Sequence, residues 1–168
     1  MAVMRPILLN SCAKAATAAE TRFRINAPIK GRRASRIVAL DEGAAPIVSR
    51  VAAQPWGGAR FFVGVSGGTS GEADTLMLCG VGGGESRLGE QLEGAEVTVM
   101  VATANDGADA AWAIGHACFE RGVMTAGLVI GDGHAAAQAV AALRPHARVL
   151  LVTNDEQDVA EVLTALRA

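Results

Sequence analysis

A chain of 168 residues, about half of them apolar, is enough for one domain with a core, and its alanine- and glycine-rich, tyrosine-free composition points to close packing of small side chains. The net charge of −2 divides unevenly: residues 1–36 hold eight basic side chains and one acid, or +7, while the remainder holds seven basic and sixteen acidic side chains, or −9. An acidic body argues against a general nucleic-acid binder, three scattered cysteines without a CxxC argue against a disulfide framework and for a reducing, cytoplasmic location, and no apolar run is long enough to span a membrane.

Residues 1–35 show no sustained period and form a basic N-terminal arm. PILLN (6–10) fits a short strand, CAKAATAAETRFR (12–24) a helix and GRRAS (31–35) a loop. The Ala/Ser/Thr/Arg-rich, acid-poor composition suits an organelle transit peptide. It equally suits an arm that folds back on the acidic body or docks a neighbouring subunit, and a homo-oligomer is expected. Residues 36–168 read as a single α/β domain. SRIVAL (35–40) is a β-branched run that fits a strand, and DEGAAPIVSRVAAQ (41–54) a helix with Asp41 or Glu42 near its start and Pro46 in its first turns.

Five further apolar runs follow, at 60–65, 75–81, 97–103, 124–130 and 148–153. They are continuous rather than alternating, as strands buried on both faces are. Helical patterns at 86–94, 106–122, 133–147 and 155–168 separate most of them. Alternation of this kind predicts a three-layer, Rossmann-like α/β domain with four to six mostly parallel strands and helices on both faces. The runs at 60–65 and 75–81 are the exception. The nine residues between them are too few for a comfortable crossover helix, so they form a hairpin or one is an edge strand.

Each of these five runs is followed by a glycine-rich or polar loop: GVSGGTSGEAD (64–74), GVGGGESR (80–87), TANDGADAA (103–111), IGDGHAAA (130–137) and TNDEQDV (153–159). In an open parallel sheet such loops share the carboxyl edge, where ligands bind at the switch point in strand order. The expected ligand contacts are the backbone of Gly80, Gly82, Gly83 and Gly84, the hydroxyls of Ser66, Thr69 and Ser70, the turn Asn105, Asp106 and Gly107, and Asp132 with His134. Glycines let backbone N–H groups approach an anion, but Glu85 would repel a phosphate unless a metal or Arg87 intervened. The alternative for 80–84 is a turn that needs positive φ. Asp132 and His134 could serve acid–base work, or Asp132 could simply cap a helix. His116 and Glu120 form an i, i+4 surface pair, Cys118 belongs to the core, and Cys79 beside the glycines is the one cysteine worth testing for reactivity. No metal-ligand spacing and no catalytic constellation is present.

Gly80-Val81-Gly82-Gly83-Gly84 resembles the first glycine-rich loop of the tubulin/FtsZ GTPases, where a strand ends in such a run before a helix. Residues 97–131 are similar to the strand, phosphate loop, helix and strand that carry that family's signature, with NDGADAA (105–111) at the place of the phosphate loop. This resemblance implies a nucleotide-binding domain. VSGGTSGEADTL (65–76) resembles the phosphate loop of sugar-phosphate isomerase (SIS) domains, which implies Ser66, Thr69, Ser70 and Gly71 as donors to a sugar phosphate and Glu72 as the motif acid. RVLLVTNDEQDVAEVLTALRA (148–168) is similar to the first strand and helix of response-regulator receivers, with Asp155 and Glu156 at the acidic pair. Read by itself it is a common βα unit in which Asn154 or Asp155 caps the helix.

Together these features predict a small domain that binds a phosphorylated or nucleotide-like ligand, a nucleotide or a sugar phosphate, at the carboxyl ends of its strands. The alternatives are a non-enzymatic regulatory or scaffold subunit that self-associates through its arm and helices, and a sugar-phosphate isomerase-like enzyme.

Overall fold

In a computed structural model that describes residues 33–67 and 73–168, the apolar runs become strands β1 (Ser35–Ala39), β2 (Arg60–Ser66), β3 (Met77–Gly80), β5 (Val97–Ala102), β6 (Met124–Ile130) and β7 (Val149–Thr153). A short polar strand, β4 (Glu85–Arg87), joins them. The helices are α1 (Ala44–Ala52), α2 (Leu88–Leu92), α3 (Ala108–Glu120), α4 (Ala137–Leu143) and α5 (Gln157–Ala165). The strand and helix expected within the arm, and Thr69 and Ser70, lie outside the described residues.

The seven strands form one sheet in the order β4-β3-β2-β1-β5-β6-β7. β2, β1, β5, β6 and β7 run parallel, and β3 and β4 run antiparallel. Counted alone, the parallel strands follow the doubly wound order 2-1-3-4-5, so the architecture is the expected α/β, Rossmann-like one. The sheet exceeds the expected four to six strands because Glu85-Ser86-Arg87 pairs with β3, and a polar segment of three residues carries no strand signal.

Successive residues of the central strands face opposite layers. Val38, Met100 and Val129 pack with Leu88 and Leu92 of α2, Ala111, Ile114 and Cys118 of α3, and Leu143 of α4. Ile37, Val99 and Leu128 pack with Ile47 and Val48 of α1 and with Val159 and Leu163 of α5. Each large side chain buried this way contributes about 1.5–3 kcal/mol. Both faces of β5 are closed, and all six of its residues are buried. That is why it reads as an apolar run interrupted only by Thr98.

Local signals set the helix ends. The Asp41 carboxylate accepts the Ala44 N–H at 2.9 Å and so opens α1. Pro46 falls in the first turn of that helix, where its missing N–H costs nothing. α3 closes on Gly122, whose φ of +66° lets Val123 N–H reach the Cys118 carbonyl at 2.9 Å. One charged side chain is buried in β1: Arg36 donates from Nε to the Gln91 carbonyl at the end of α2, 2.7 Å away. Burial, and then the neighbouring Arg60, lower its pKa. Among the described residues, no helix is long and apolar enough to cross a membrane.

Candidate functional site

Four loops with described residues on both sides of the switch point rise from the carboxyl ends of parallel strands: 40–43 after β1, 103–107 after β5, 131–136 after β6 and 154–156 after β7. Ser66 ends β2 at the same edge and is exposed. The glycine loop does not join them. β3 runs antiparallel to β2 with Gly80 opposite Phe62, so its carboxyl end lies beside the start of β2, and the Val81 N–H donates to the Phe61 carbonyl at 3.1 Å. Gly80, Gly82, Gly83 and Gly84 therefore sit at the amino edge, away from the other expected contacts.

The cause is the short β2–β3 link, which allows reversal but no crossover. The loop itself is a hairpin turn between β3 and β4, and not a strand-to-helix loop. Gly80 N–H donates to the Gly84 carbonyl and Gly83 N–H to the Gly80 carbonyl, both at 3.0 Å, with φ of +83° at Gly83 and +94° at Gly84. Those two angles require glycine. Cys79 and Glu85 face each other across the turn, with Sγ 3.7 Å from Oε1.

At the carboxyl edge the strand order switches between β1 and β5. The chain leaves β1 through α1 on one face and leaves β5 through α3 on the other. Asp41 spans this point. Its Oδ2 accepts the backbone N–H groups of Thr103 at 2.7 Å and Ala104 at 3.0 Å. Its Oδ1 accepts the Thr103 hydroxyl at 2.6 Å and the Ala44 N–H at 2.9 Å. Burial would raise this carboxyl, but the hydrogen bonds from Thr103, Ala104 and Ala44 together outweigh it and hold the pKa below the ordinary carboxylate value. Gly107 completes the contact, since a Cβ there would come within 2.5 Å of the Leu40 side chain.

Asn105 links the next pair of loops. Its Oδ1 accepts the Gln138 N–H at 2.8 Å and the Ala139 N–H at 3.4 Å, and its Nδ2 donates to the Ala135 carbonyl at 2.8 Å. It thus caps α4 from a different loop. Asp132 and His134 are both exposed, and Asp132 accepts the backbone N–H of His134 at 2.9 Å, making a local turn five residues ahead of α4. Asp106 is exposed beside Asn105. Asp155 caps α5 through the Gln157 N–H at 2.9 Å, and Glu156 pairs with Arg50 at 2.5 Å.

The carboxyl edge thus gathers Ser66, Asn105, Asp106, Gly107, Asp132 and His134, together with Asp41 and Thr103, which the sequence reading did not select as site residues. The sequence marks Asp41 as an acid near a helix start, which its bond from the Ala44 N–H matches, but carries no signal for its tie to Thr103. The described loops of this edge carry Asp41, Glu42, Asp106, Asp132, Asp155 and Glu156 and no Lys or Arg. Among the described residues no group of three or more His, Cys, Asp or Glu could hold a metal ion. His116 and Glu120 pair at 3.4 Å on the outside of α3, and Cys118 is buried in the core, where burial raises its thiol pKa.

No protein-family model matches the chain, and no curated protein matches it significantly.

Proposed function

We propose that this domain binds a small phosphorylated or nucleotide-like ligand at the carboxyl edge, in the crevice between the loops after β1 and β5. The observation that carries the reading is the strand order, which puts the switch of a doubly wound sheet between β1 and β5. The start of the 13-residue α3 supplies backbone N–H groups and partial positive charge there. The acidic loops disfavour a bare polyanion, so the fitting ligand presents its phosphate together with a divalent cation. The glycine hairpin takes no part. A cytoplasmic setting belongs to this reading.

Thermal shift against nucleotides and sugar phosphates, with and without Mg²⁺, tests the proposal. A ligand at a hundredfold its Kd adds about 2.7 kcal/mol, which raises Tm by about 5–10 °C for a chain of this size. No stabilisation by any member at millimolar concentration, with or without the cation, overturns it.

A second reading, a non-enzymatic regulatory or scaffold subunit, is favoured by one observation. The side chains best placed to meet a ligand are already occupied, Asp41 by four donors and Asn105 by three partners. Deleting residues 1–34 separates the two: lost assembly with intact ligand binding supports an assembly arm, and lost ligand binding counts against it.

A further inference from the structure

The two edges of the sheet are guarded very differently. β4, at one end, has three residues, two of them charged. That is the usual defence of an exposed edge. β7, at the other end, is Val-Leu-Leu-Val-Thr, with no charge, glycine or proline to interrupt it. Its Val149 is 49 % exposed and its Val152 44 % exposed, and the two project to opposite faces of the strand. Among the described residues β7 pairs with β6 alone, so its outer side offers backbone N–H and C=O groups to a further strand, the Thr153 C=O excepted because it accepts the Gly131 N–H, and that side is bordered by apolar side chains on both faces.

Charge at the two ends of β7 selects the occupant. Arg148, at the amino end, is exposed and makes no ion pair among the described residues. Asn154 and Asp155, at the carboxyl end, are exposed and acceptor-rich. A strand related to β7 by a two-fold axis would bring each Arg148 against the opposite Asn154–Asp155 end. A parallel copy would stack Arg148 on Arg148.

We propose that β7 pairs antiparallel with β7 of a second copy of this chain, about a two-fold axis through Leu151. In that register Val149 lies opposite Thr153 of the partner subunit, Leu150 opposite Val152 of the partner subunit, and Arg148 opposite Asn154 of the partner subunit. The exposed valines are covered, and the interface is isologous and closes at two chains. The pairing leaves the carboxyl edge open and stands independently of the ligand reading.

The test is the solution mass of the full chain and of the double variant Val149→Lys/Val152→Lys, with circular dichroism as the check on folding. The proposal expects a dimer for the parent chain and a folded monomer for the variant. A parent that is monomeric, or that forms trimers or larger species, overturns it. So does a folded variant that stays dimeric, which would move assembly to residues 1–32 or to the exposed Trp112 and Phe119 on α3. Leu151→Cys gives a second readout that does not depend on the lysine variant folding. Opposed Cα atoms in an antiparallel pair lie about 4.5–5.5 Å apart, within disulfide range. Mild oxidation should therefore link two chains through residue 151, as peptide mapping reads, and failure to link them overturns the pairing.

Discussion

Thr103 is bound twice to Asp41: its backbone N–H reaches Oδ2 at 2.7 Å and its hydroxyl reaches Oδ1 at 2.6 Å. The pair fastens the loop after β1 to the loop after β5 across the point where the sheet changes winding direction. The residues are 62 positions apart in the chain, so the bond holds the tertiary fold as well as the local turn.

Replacing Asp41 should therefore cost more than loss of a helix cap. Asp41→Ala leaves the Thr103, Ala104 and Ala44 donors without their acceptor and is expected to lose about 2–4 kcal/mol, against about 1 kcal/mol for Thr103→Val. Urea unfolding of the two variants checks the ratio. The pH dependence has a definite sign. The folded carboxyl lies below its unfolded value, so its contribution is present above the unfolded pKa of about 3.9 and is lost as pH falls through the lowered folded value. Asp41→Asn should flatten the acid limb of the stability curve.

His146 should act on the other side of the pH scale. It lies between α4 and β7 and packs against α3, where Gly115 leaves the space for its ring: a Cβ at 115 would come within 2.5 Å of it. The ring meets Trp112 edge-on at 6.2 Å between centroids, lies 6.5 Å from the ring of His116, and has a buried Nε2 with no hydrogen-bond partner among the described residues. His116 is itself paired with Glu120. Burial, and then the charge of His116, lower the His146 pKa. The unfolded chain therefore binds the extra proton more readily. The contribution of the neutral ring is complete above about pH 6.5 and declines as pH falls through that value toward the folded pKa. Urea midpoints at pH 5.5 and 7.5 should differ in the parent and converge in His146→Gln, and equal midpoints in the parent would refute this. Gly115→Ala should cost about 1–3 kcal/mol at either pH, because the ring must move.

Asn105 is a strut between loops, and its removal should be felt at a distance. Asn105→Ala is expected to cost about 1–2 kcal/mol. Amide hydrogen exchange should show faster opening at Gln138 and Ala139, the two N–H groups it caps, while the opposite end of α3 stays protected.

Much of the architecture could be read in advance because buried parallel strands announce themselves. The run at 124–130 coincides with β6, and the run at 97–103 exceeds β5 by one residue. β4 escaped because Glu85, Ser86 and Arg87 have no apolar face to signal a strand. The site was less legible than the fold. The short spacing between β2 and β3 announced a reversal, yet the consequence for Gly80–Gly84 follows only once Gly80 is paired with Phe62. Asp41 is legible as a helix-start acid through Ala44, three residues on, but its bond to Thr103 and the role of Asn105 rest on partners 62 and 33 residues away, which no local pattern reports. Asp155, whose partner is two residues on, was foreseen as a cap.

The proposed ligand meets the carboxyl edge at the β1–β5 switch and not the glycine hairpin. Amide NMR of the full chain, titrated with whichever nucleotide or sugar phosphate gives the largest thermal shift in Mg²⁺, tests it most directly. Binding at that switch should concentrate shift changes at residues 41–44 and 103–107, extending to 131–134, with residues 80–84 unmoved and with affinity unchanged in Gly83→Ala. Shifts centred on 80–84, with 41–44 and 103–107 silent, would contradict it.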